Sequence, residues 1–165
     1  MTANAESVLH ELGYQVLLDV ALEDAHFDGQ GHLNNAAIAQ LFNDMRITYI
    51  RGVAGPWWGE YLLGERIVVA LRELHISYES EGLPGETFRG AMRYLRREGK
   101  AAVFEQCLCE TTTGRIAARA WGVQLLAHNG RVVDWPPRYF EAVEATELRT
   151  IERREKSSRV WGPGQ

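Results

Sequence analysis

The sequence predicts an α+β domain in which a curved antiparallel sheet of five or six strands wraps around one long central helix. Two observations predict it. One long segment carries apolar residues at helical spacing, at Ile38, Leu41, Phe42, Met45 and Tyr49. Several apolar segments follow it, and their connections are too short for the crossovers that parallel strands need.

The first predicted strand covers residues 14–22, which combine β-branched and aromatic side chains and follow Gly13. The helix is predicted over residues 35–51. An asparagine at its start can accept hydrogen bonds from free backbone N–H groups, and Gly52 can take the left-handed conformation that ends a helix. Residues 52–64 are then expected to form a loop.

Four further strands are predicted over residues 66–80, 86–97, 101–110 and 115–127. The short linkers EGLPG, EGK and TTTG suit hairpins, so these strands are expected to form one meander, with the first strand as a fifth. Residues 138–156, rich in Glu and Arg, are predicted to form an outer helix supported by charge pairs, and the final SSRVWGPGQ is expected to fray.

Length and composition predict a single domain over residues 1–165 with its core at about 14–133. The 165 residues are 45% hydrophobic and 24% charged, which are ordinary globular proportions. No apolar segment approaches the roughly 18 residues that span a bilayer, and the amino terminus has neither a basic segment nor an apolar signal core. We therefore expect a cytoplasmic protein with no membrane partner.

The charges and cysteines exclude two further classes of function. A formal net charge of −4 gives no general attraction for nucleic acid. Cys107 and Cys109 are the only cysteines, and two residues apart on a strand they share a face and cannot readily bridge each other, so we expect free thiols in the core. Five scattered histidines and no second cysteine pair leave a structural metal site without its ligand spacing.

The segment FDGQGHLNN, from Phe27 to Asn35, crowds polar groups where a strand gives way to the helix. The first turn of a helix offers unpaired N–H groups and a positive dipole end, which can hold negative charge on a carbonyl oxygen. A nearby acid can activate water or attack the carbonyl carbon, and Asp28 is the candidate. The alternative is that Asp28 only caps its own turn.

The segment resembles the signature of the hotdog-fold thioesterases, especially the 4-hydroxybenzoyl-CoA thioesterase-like family, approximately D-x-D-x-x-G-H-V-N-N-x-x-Y ahead of a central helix. The matching positions are Asp28, Gly31, His32, Asn34 and Asn35, with Leu33 in place of valine. The family is also resembled at three later places: Phe42, the segment DMR at residues 44–46 and the segment ISYESEGLPGE at residues 76–86. From residue 14 to about 133, the predicted order of helices and strands agrees with that of the family.

The resemblance implies a hotdog fold and an acyl-CoA thioesterase with Asp28 as catalytic carboxylate and a backbone amide near Asn35 that polarises the thioester carbonyl. The related pattern of plant acyl-carrier-protein thioesterases falls on Asp28, Gln30, His32, Asn34 and Asn35, and it implies supporting roles for Gln30 and His32. His32 would either move a proton or brace the loop by hydrogen bonding. The resemblance implies an acyl-CoA or acyl-carrier-protein thioester as substrate and no cofactor, because coenzyme A is part of the substrate. A homodimer or homotetramer is implied as well.

Three positions depart from the family pattern and keep other enzymes open. His26 replaces the first aspartate, Ile38 replaces the usual tyrosine, and Asp44 stands where glutamate is common. In another hotdog branch an acid on the helix does the chemistry, so Asp44 is a second candidate, although beside Arg46 it also suits an ion pair. Together with Asp44, His32 would suit a dehydratase or hydratase, and a non-catalytic acyl-thioester binding protein is the third alternative.

Two further groups are candidates for substrate binding. Arg93, Arg96, Arg97 and Lys100 fall around one predicted hairpin tip, where they would hold the phosphates of coenzyme A or form only a solvated basic surface. Trp57 and Trp58 would line an acyl or aryl tunnel, or pack in the core or at a subunit contact.

Overall fold

The computed structural model describes residues 4–155. Their helices and strands, in chain order, are α1 Ala5–Glu11, β1 Val16–Asp19, α2 Asn35–Ala54, α3 Pro56–Gly64, β2 Ile67–Tyr78, β3 Phe88–Glu98, β4 Ala101–Glu110, β5 Ile116–His128, β6 Arg131–Val133, α4 Pro137–Glu147 and β7 Glu152–Arg154. A single 3₁₀ turn at Asp24–His26 separates β1 from α2. None of the described helices is long and apolar enough to cross a membrane.

The described strands form one seven-stranded sheet in the order β1-β3-β4-β5-β2, with β6 beside β5 and β7 beside β3. The hairpin predictions for β3–β4 and β4–β5 are confirmed, but the four-stranded meander is wrong because β2 pairs with β5 instead of β3. A short linker limits the distance between strand ends without deciding which neighbour a strand takes. Strand β1 pairs with β3 instead. The two strands are antiparallel, with Val16 opposite Met92 and Asp19 opposite Arg89.

Helix α2 begins at the predicted residue, Asn35, and runs past residue 51 to Ala54. Gly52 lies inside the helix, and the positive φ that follows the helix is found at Gly55, whose φ of 73° and ψ of −170° differ from the left-handed conformation predicted for Gly52. The predicted loop over residues 52–64 is wrong, because most of it forms helix α3. Pro56 occupies the start of this helix, where its missing N–H and fixed φ suit the first turn.

The described chain divides into two compact units, and the first comprises Met1–Tyr49, Ile76–Met92 and Gln106–Ala120. The predicted apolar stripe of α2 is buried along its whole length, with every member no more than 5% exposed. Strands β3 and β4 lie against this stripe. A Cβ on Gly90 would come within 2.5 Å of the Met45 Cε, and the Gln106 side chain donates a hydrogen bond to the Phe42 carbonyl at 2.8 Å.

Helix α1 covers the other part of the first unit's core. Its Ala5 and Leu9 pack in one buried cluster with Tyr14, Ala91 and the two cysteines. Both Cys107 and Cys109 are free and buried, as the sequence predicts. Burial, with the neighbouring Glu110 carboxylate, raises the pKa of the Cys109 thiol to about 11, so this group is a packing residue at neutral pH.

The second unit comprises Ile50–His75, Arg93–Glu105 and Trp121–Gln165, and an aromatic cluster forms much of its core. The Trp58 and Tyr139 rings lie 4.6 Å apart, and those of Trp135 and Tyr139 lie 4.9 Å apart. Helix α4 contributes Tyr139, Phe140 and Val143 to the buried set. The helix predicted over residues 138–156 is confirmed as far as Glu147, where α4 ends, but its predicted support by charge pairs is wrong because α4 is held by its apolar face. The final SSRVWGPGQ lies outside the described residues.

Candidate active site

The loop between β1 and α2 closes on itself through its own backbone. Phe27 and Leu33 form an isolated antiparallel bridge, and the Asp28 N–H donates to the His32 carbonyl at 2.9 Å. The Asp28 Oδ1 accepts hydrogen bonds from the backbone N–H groups of Gln30, at 2.9 Å, and His32, at 3.0 Å. These contacts hold the Asp28 carboxylate at a fixed place beside the start of α2.

Hydrogen bonding also sets the charge of Asp28. The backbone N–H groups of His32 and Gln30 lower the pKa of this carboxyl from its ordinary value, against a small opposing effect of burial. Because the side chain is exposed, it remains in contact with water. Asp28 is an anion at neutral pH, and one of its two oxygens, Oδ1, accepts both backbone hydrogen bonds.

The start of helix α2 is capped by Asn34. Its Oδ1 accepts from the Ala36 N–H at 2.7 Å, and its carbonyl accepts from the Ile38 N–H at 2.9 Å. Its own N–H donates to the His26 carbonyl at 2.8 Å, which ties the helix start to the preceding turn. Within residues 4–155, neither the Asn35 N–H nor the Ala37 N–H has an acceptor, so both are donors that a bound group can use.

A cavity of about 450 Å³ opens where this loop and helix start meet the chain that follows β2. It is lined by Asp28, His32, Leu33, Asn34, Asn35, Ile38, Tyr78, Glu79, Ser80, Glu81 and Gly82, all from the first unit. This volume lies within the range of small-molecule sites. The structure thus brings together four of the predicted catalytic residues, whereas Gln30 contributes its backbone to the loop and does not line the cavity.

The wall formed by residues 78–82 was not predicted as part of the site. The Leu33 N–H donates to the Gly82 carbonyl at 2.8 Å, and a Cβ on Gly82 would come within 2.9 Å of the Leu33 Cβ, so the two segments pack in direct contact. The Tyr78 hydroxyl lies 3.5 Å from the Asn35 carbonyl oxygen, to which it donates. One indication of this wall was present in the sequence, the resemblance of ISYESEGLPGE to the family, but that resemblance assigned no role to these residues.

Charged groups on the same wall face the loop. The Glu81 Oε2 lies 3.7 Å from the His32 Nε2, with both side chains partly exposed. The Glu79 carboxylate pairs with the Arg119 guanidinium at 3.1 Å. The cavity is therefore bordered by three carboxylates, those of Asp28, Glu79 and Glu81.

Asp44, the second catalytic candidate, is an exposed residue of α2 outside the cavity lining. Its Oδ1 accepts a hydrogen bond from the Gln40 side chain at 2.8 Å and a longer one from Asn43 at 3.5 Å. These contacts stand in place of the ion pair with Arg46 that the sequence suggests. Arg46 is buried and donates to the Asn43 Oδ1 at 2.9 Å.

The four predicted phosphate-binding cations belong to the second unit, and none of them lines the cavity. Each has a partner: Arg93 bonds Glu105, Arg96 bonds Glu98, Arg97 lies over the Phe140 ring and Lys100 pairs with Asp134. Burial, followed by the nearby Arg153, lowers the pKa of Arg97. Phosphate binding by these side chains stays a prediction.

The two tryptophans of α3 also lie in the second unit. Trp58 is buried in the aromatic cluster, and Trp57 packs against it with ring centroids 5.5 Å apart. The Arg138 guanidinium lies 4.6 Å from the centre of the Trp57 ring. These contacts agree with core packing, and an acyl-binding role for the pair stays a prediction. Within residues 4–155, no group of three or more His, Cys, Asp or Glu side chains is arranged to hold a metal ion.

The sequence matches the thioesterase-like superfamily over residues 22–143. The chain belongs to this superfamily. Membership makes it a thioester hydrolase and confirms the family and enzyme class that the sequence motif predicts. No curated protein matches the chain closely enough to add to this assignment.

Solved structures confirm the hotdog fold of this superfamily member. A thioesterase from Thermus thermophilus, complexed with coenzyme A and Zn, is 23% identical over 84% of this chain and 98% of its own, with a TM-score of 0.72. A 4-hydroxybenzoyl-CoA thioesterase mutant, complexed with 4-hydroxybenzoyl-CoA, is 15% identical over 78% of this chain and 97% of its own, with a TM-score of 0.71. A thioesterase superfamily protein of Jannaschia sp. CCS1 is 15% identical over 92% and 96%, with a TM-score of 0.70.

Proposed function

We propose that the protein is an acyl-CoA thioesterase that hydrolyses an acyl or aryl thioester to the free acid and the thiol. Asp28 is its catalytic carboxylate, and the Asn35 N–H donates to the thioester oxygen. One observation carries the proposal: Asp28, whose carboxylate is ionised, and Asn35, whose N–H has no acceptor within the described residues, line the same cavity. Superfamily membership and the coenzyme A complexes of similar folds support the same substrate class.

The chemistry follows from these two groups. A thioester oxygen at the Asn35 N–H gains a hydrogen bond and the positive end of the α2 dipole as its carbon becomes tetrahedral. Asp28 then acts in one of two ways. Its carboxylate attacks the carbonyl carbon and expels the thiolate, leaving an anhydride that water hydrolyses, or it takes a proton from a water that attacks directly. Both routes consume one water and release the acid and the thiol.

A single turnover in isotopically labelled water separates the two routes. Direct attack by Asp28, followed by water attack at the Asp28 carbonyl of the anhydride, leaves labelled oxygen in the Asp28 side chain, whereas the general-base route labels only the product acid. Mass spectrometry of the Asp28 peptide makes the distinction. Label confined to the acid after one turnover favours the general-base route or water attack at the acyl carbon.

The remaining motif residues support these two groups. Asn34 fixes the first turn of α2 through its hydrogen bond to Ala36 and so aims the Asn35 N–H. His32 anchors the loop through its backbone and places its imidazole at the cavity beside Glu81. Gln30 contributes a backbone N–H to Asp28. We assign the three residues positioning roles.

Two substitutions at Asp28 separate catalysis from turn formation. Asp28→Asn keeps an Oδ1 that accepts the Gln30 and His32 N–H groups, so the loop stays closed, but the amide can neither attack nor take a proton. We expect at least about a hundredfold loss of turnover in a folded protein. Asp28→Ala removes the turn contacts as well and should lower both activity and stability.

The measurement is thiol release from short, long and aromatic acyl-CoAs, with circular dichroism as the folding control. A residue that only caps the turn gives a different result: near-normal hydrolysis by Asp28→Asn and impairment only in Asp28→Ala. That result would place the chemistry on another residue.

The alternatives give distinct readouts. A dehydratase or hydratase would need Asp44 beside His32, but Asp44 lies outside the cavity lining and is bonded to Gln40, which supports hydrolysis instead. A non-catalytic binding protein would bind acyl-CoA tightly and release no thiol. Either outcome in the same assay would replace the proposed reaction.

We also propose a homodimer or homotetramer. Strand β2 ends the order of the sheet within the described chain and carries Val68 and Leu71, which are 62% and 39% exposed. An unpaired strand edge with apolar side chains is a surface that a second copy can cover. Light scattering after size exclusion measures the mass, and a monomer at micromolar concentration would contradict this assignment.

A further inference from the structure

We propose that the cavity accepts acyl groups that carry no negative charge and rejects those that end in a carboxylate, with Glu81 as the specificity-determining residue. The proposal rests on the proposed function, because it requires the thioester to be held beside Asp28 and Asn35. It extends that function by naming the class of acyl group.

The charges that border the cavity have one sign. Asp28, Glu79 and Glu81 line it, and no arginine or lysine of the described chain does so. Glu79 is paired with Arg119, which offsets its charge. The remaining acidic residues of the lining are Asp28 and Glu81, and the His32 imidazole is the only basic side chain among the described residues of the lining.

The backbone holds Glu81 at this place. Its carbonyl accepts a hydrogen bond from Arg115, and the carbonyl of the next residue, Gly82, accepts one from Leu33 at 2.8 Å. The Arg115 guanidinium is bonded to the Glu86 carboxylate at 2.6 and 2.7 Å, so an acidic side chain outside the cavity lining offsets its charge. Within the described residues, Glu81 therefore has a backbone held in place and an exposed carboxylate, which lies 3.7 Å from the His32 Nε2 and has no arginine partner.

A second acidic group on the acyl chain would enter the same space. Each carbon–carbon bond spans about 1.5 Å, so a carboxylate two carbons beyond the thioester stays within roughly 5 Å of the reacting carbon in any direction. Like charges a few ångströms apart near a protein surface repel enough to change an equilibrium about tenfold. The apolar part of the lining, Leu33 and Ile38, offers a hydrocarbon chain a surface without that repulsion.

Butyryl-CoA and succinyl-CoA test the proposal, because they have the same chain length and differ in a terminal methyl or carboxylate. We expect the wild-type kcat/KM to favour butyryl-CoA by at least about tenfold, and less at high ionic strength, where exposed charges are screened. Glu81→Gln keeps the size and removes the charge, so the ratio of succinyl-CoA to butyryl-CoA should rise about three- to tenfold. Glu60→Gln, an exposed glutamate of α3 outside the lining, is the matched control and should keep the wild-type ratio.

A binding measurement separates this proposal from the proposed function. S-butyl-CoA and its ω-carboxylate counterpart are thioethers that cannot be hydrolysed, and calorimetry gives their relative affinity for wild type and Glu81→Gln. If wild type binds the neutral ligand more tightly but hydrolyses no thioester, the proposed thioesterase function is refuted and the proposed selection against negatively charged acyl groups is supported. Equal use of both thioesters by wild type, or an unchanged ratio in Glu81→Gln, would overturn the charge selection and leave thioester hydrolysis in place.

Discussion

Arg115 donates two hydrogen bonds to the carboxylate of Glu86, at 2.6 and 2.7 Å. The same guanidinium donates to the Ser80 Oγ at 2.6 Å and to the Glu81 carbonyl. One side chain just before β5 thus ties two residues of the cavity wall formed by residues 78–82 to Glu86, which lies beyond that wall. Planar, forked donation of this kind is a property of arginine that lysine lacks.

Replacing Arg115 should therefore affect both stability and substrate binding. We expect Arg115→Met to lower the free energy of unfolding by about 1–3 kcal/mol, because it leaves a half-buried Glu86 carboxylate without its charged donor. The KM for acyl-CoA should rise, since the cavity wall loses its anchor, and Arg115→Lys should restore only part of either property. Urea unfolding and steady-state kinetics measure the two effects. Arg51→Met, at an exposed arginine of α2, is the control, and equal effects in both variants would refute the anchoring role.

The capping of α2 gives a second prediction. Asn34→Ala removes the acceptor for the Ala36 N–H and should cost about 1 kcal/mol of stability. Because the neighbouring Asn35 N–H then loses its fixed direction, turnover should fall as well. Asn34→Asp keeps an acceptor at the same place and should recover the stability. Thermal unfolding of the three proteins gives the comparison, and an Asn34→Ala variant as stable as Asn34→Asp would contradict the capping role.

Glu110 gives a third prediction, on pH dependence. Burial disfavours its charge, but hydrogen bonds from the Thr113 hydroxyl and from the Thr112 and Thr113 backbone N–H groups outweigh this and hold the pKa at about 2, below its ordinary value of 4.5. Because the folded pKa is the lower one, the stabilisation is fully present above pH 4.5 and is lost as the pH falls towards 2.

Glu110→Gln should remove this part of the acid sensitivity. Wild type should lose about 2–3 kcal/mol of unfolding free energy through Glu110 across that window, and the variant should show a flatter acid limb and lower stability at neutral pH. Urea unfolding between pH 6 and pH 3 measures the slope. Glu141→Gln, at an exposed position of α4, should keep the wild-type slope. Parallel acid limbs for wild type and Glu110→Gln would show that other carboxylates dominate.

The parts of the fold that the sequence predicts are those encoded by neighbouring residues. The α2 stripe repeats over several turns, and β3, β4 and β5, which follow one another through short turns, pair in chain order. Helix α4 was predicted as a helix, but its many charges concealed the role of Tyr139 and Phe140, whose burial depends on rings such as Trp58 from a distant part of the chain. The pairing of β2 with β5 likewise depends on tertiary contacts, and no local sequence pattern predicts it.

The same distinction applies to the site. Asp28, His32, Asn34 and Asn35 are close in the sequence, so one motif reveals them together. The opposite wall does not share that motif, since the Tyr78 hydroxyl reaches the Asn35 carbonyl across 43 positions of sequence. Contacts made in the folded chain, such as that of Leu33 with Gly82, identify the segment that completes the cavity.

The aromatic cluster of the second unit has a spectroscopic consequence. The tryptophans within the described residues, at positions 57, 58, 121 and 135, all belong to that unit, and the unit that holds the cavity has none. The fluorescence of these tryptophans therefore reports on the second unit. None of them lies at the cavity, where a ligand would bind. Tyr78→Trp would install a reporter on the cavity wall, so that ligand entry and loss of the aromatic cluster could be followed in separate titrations.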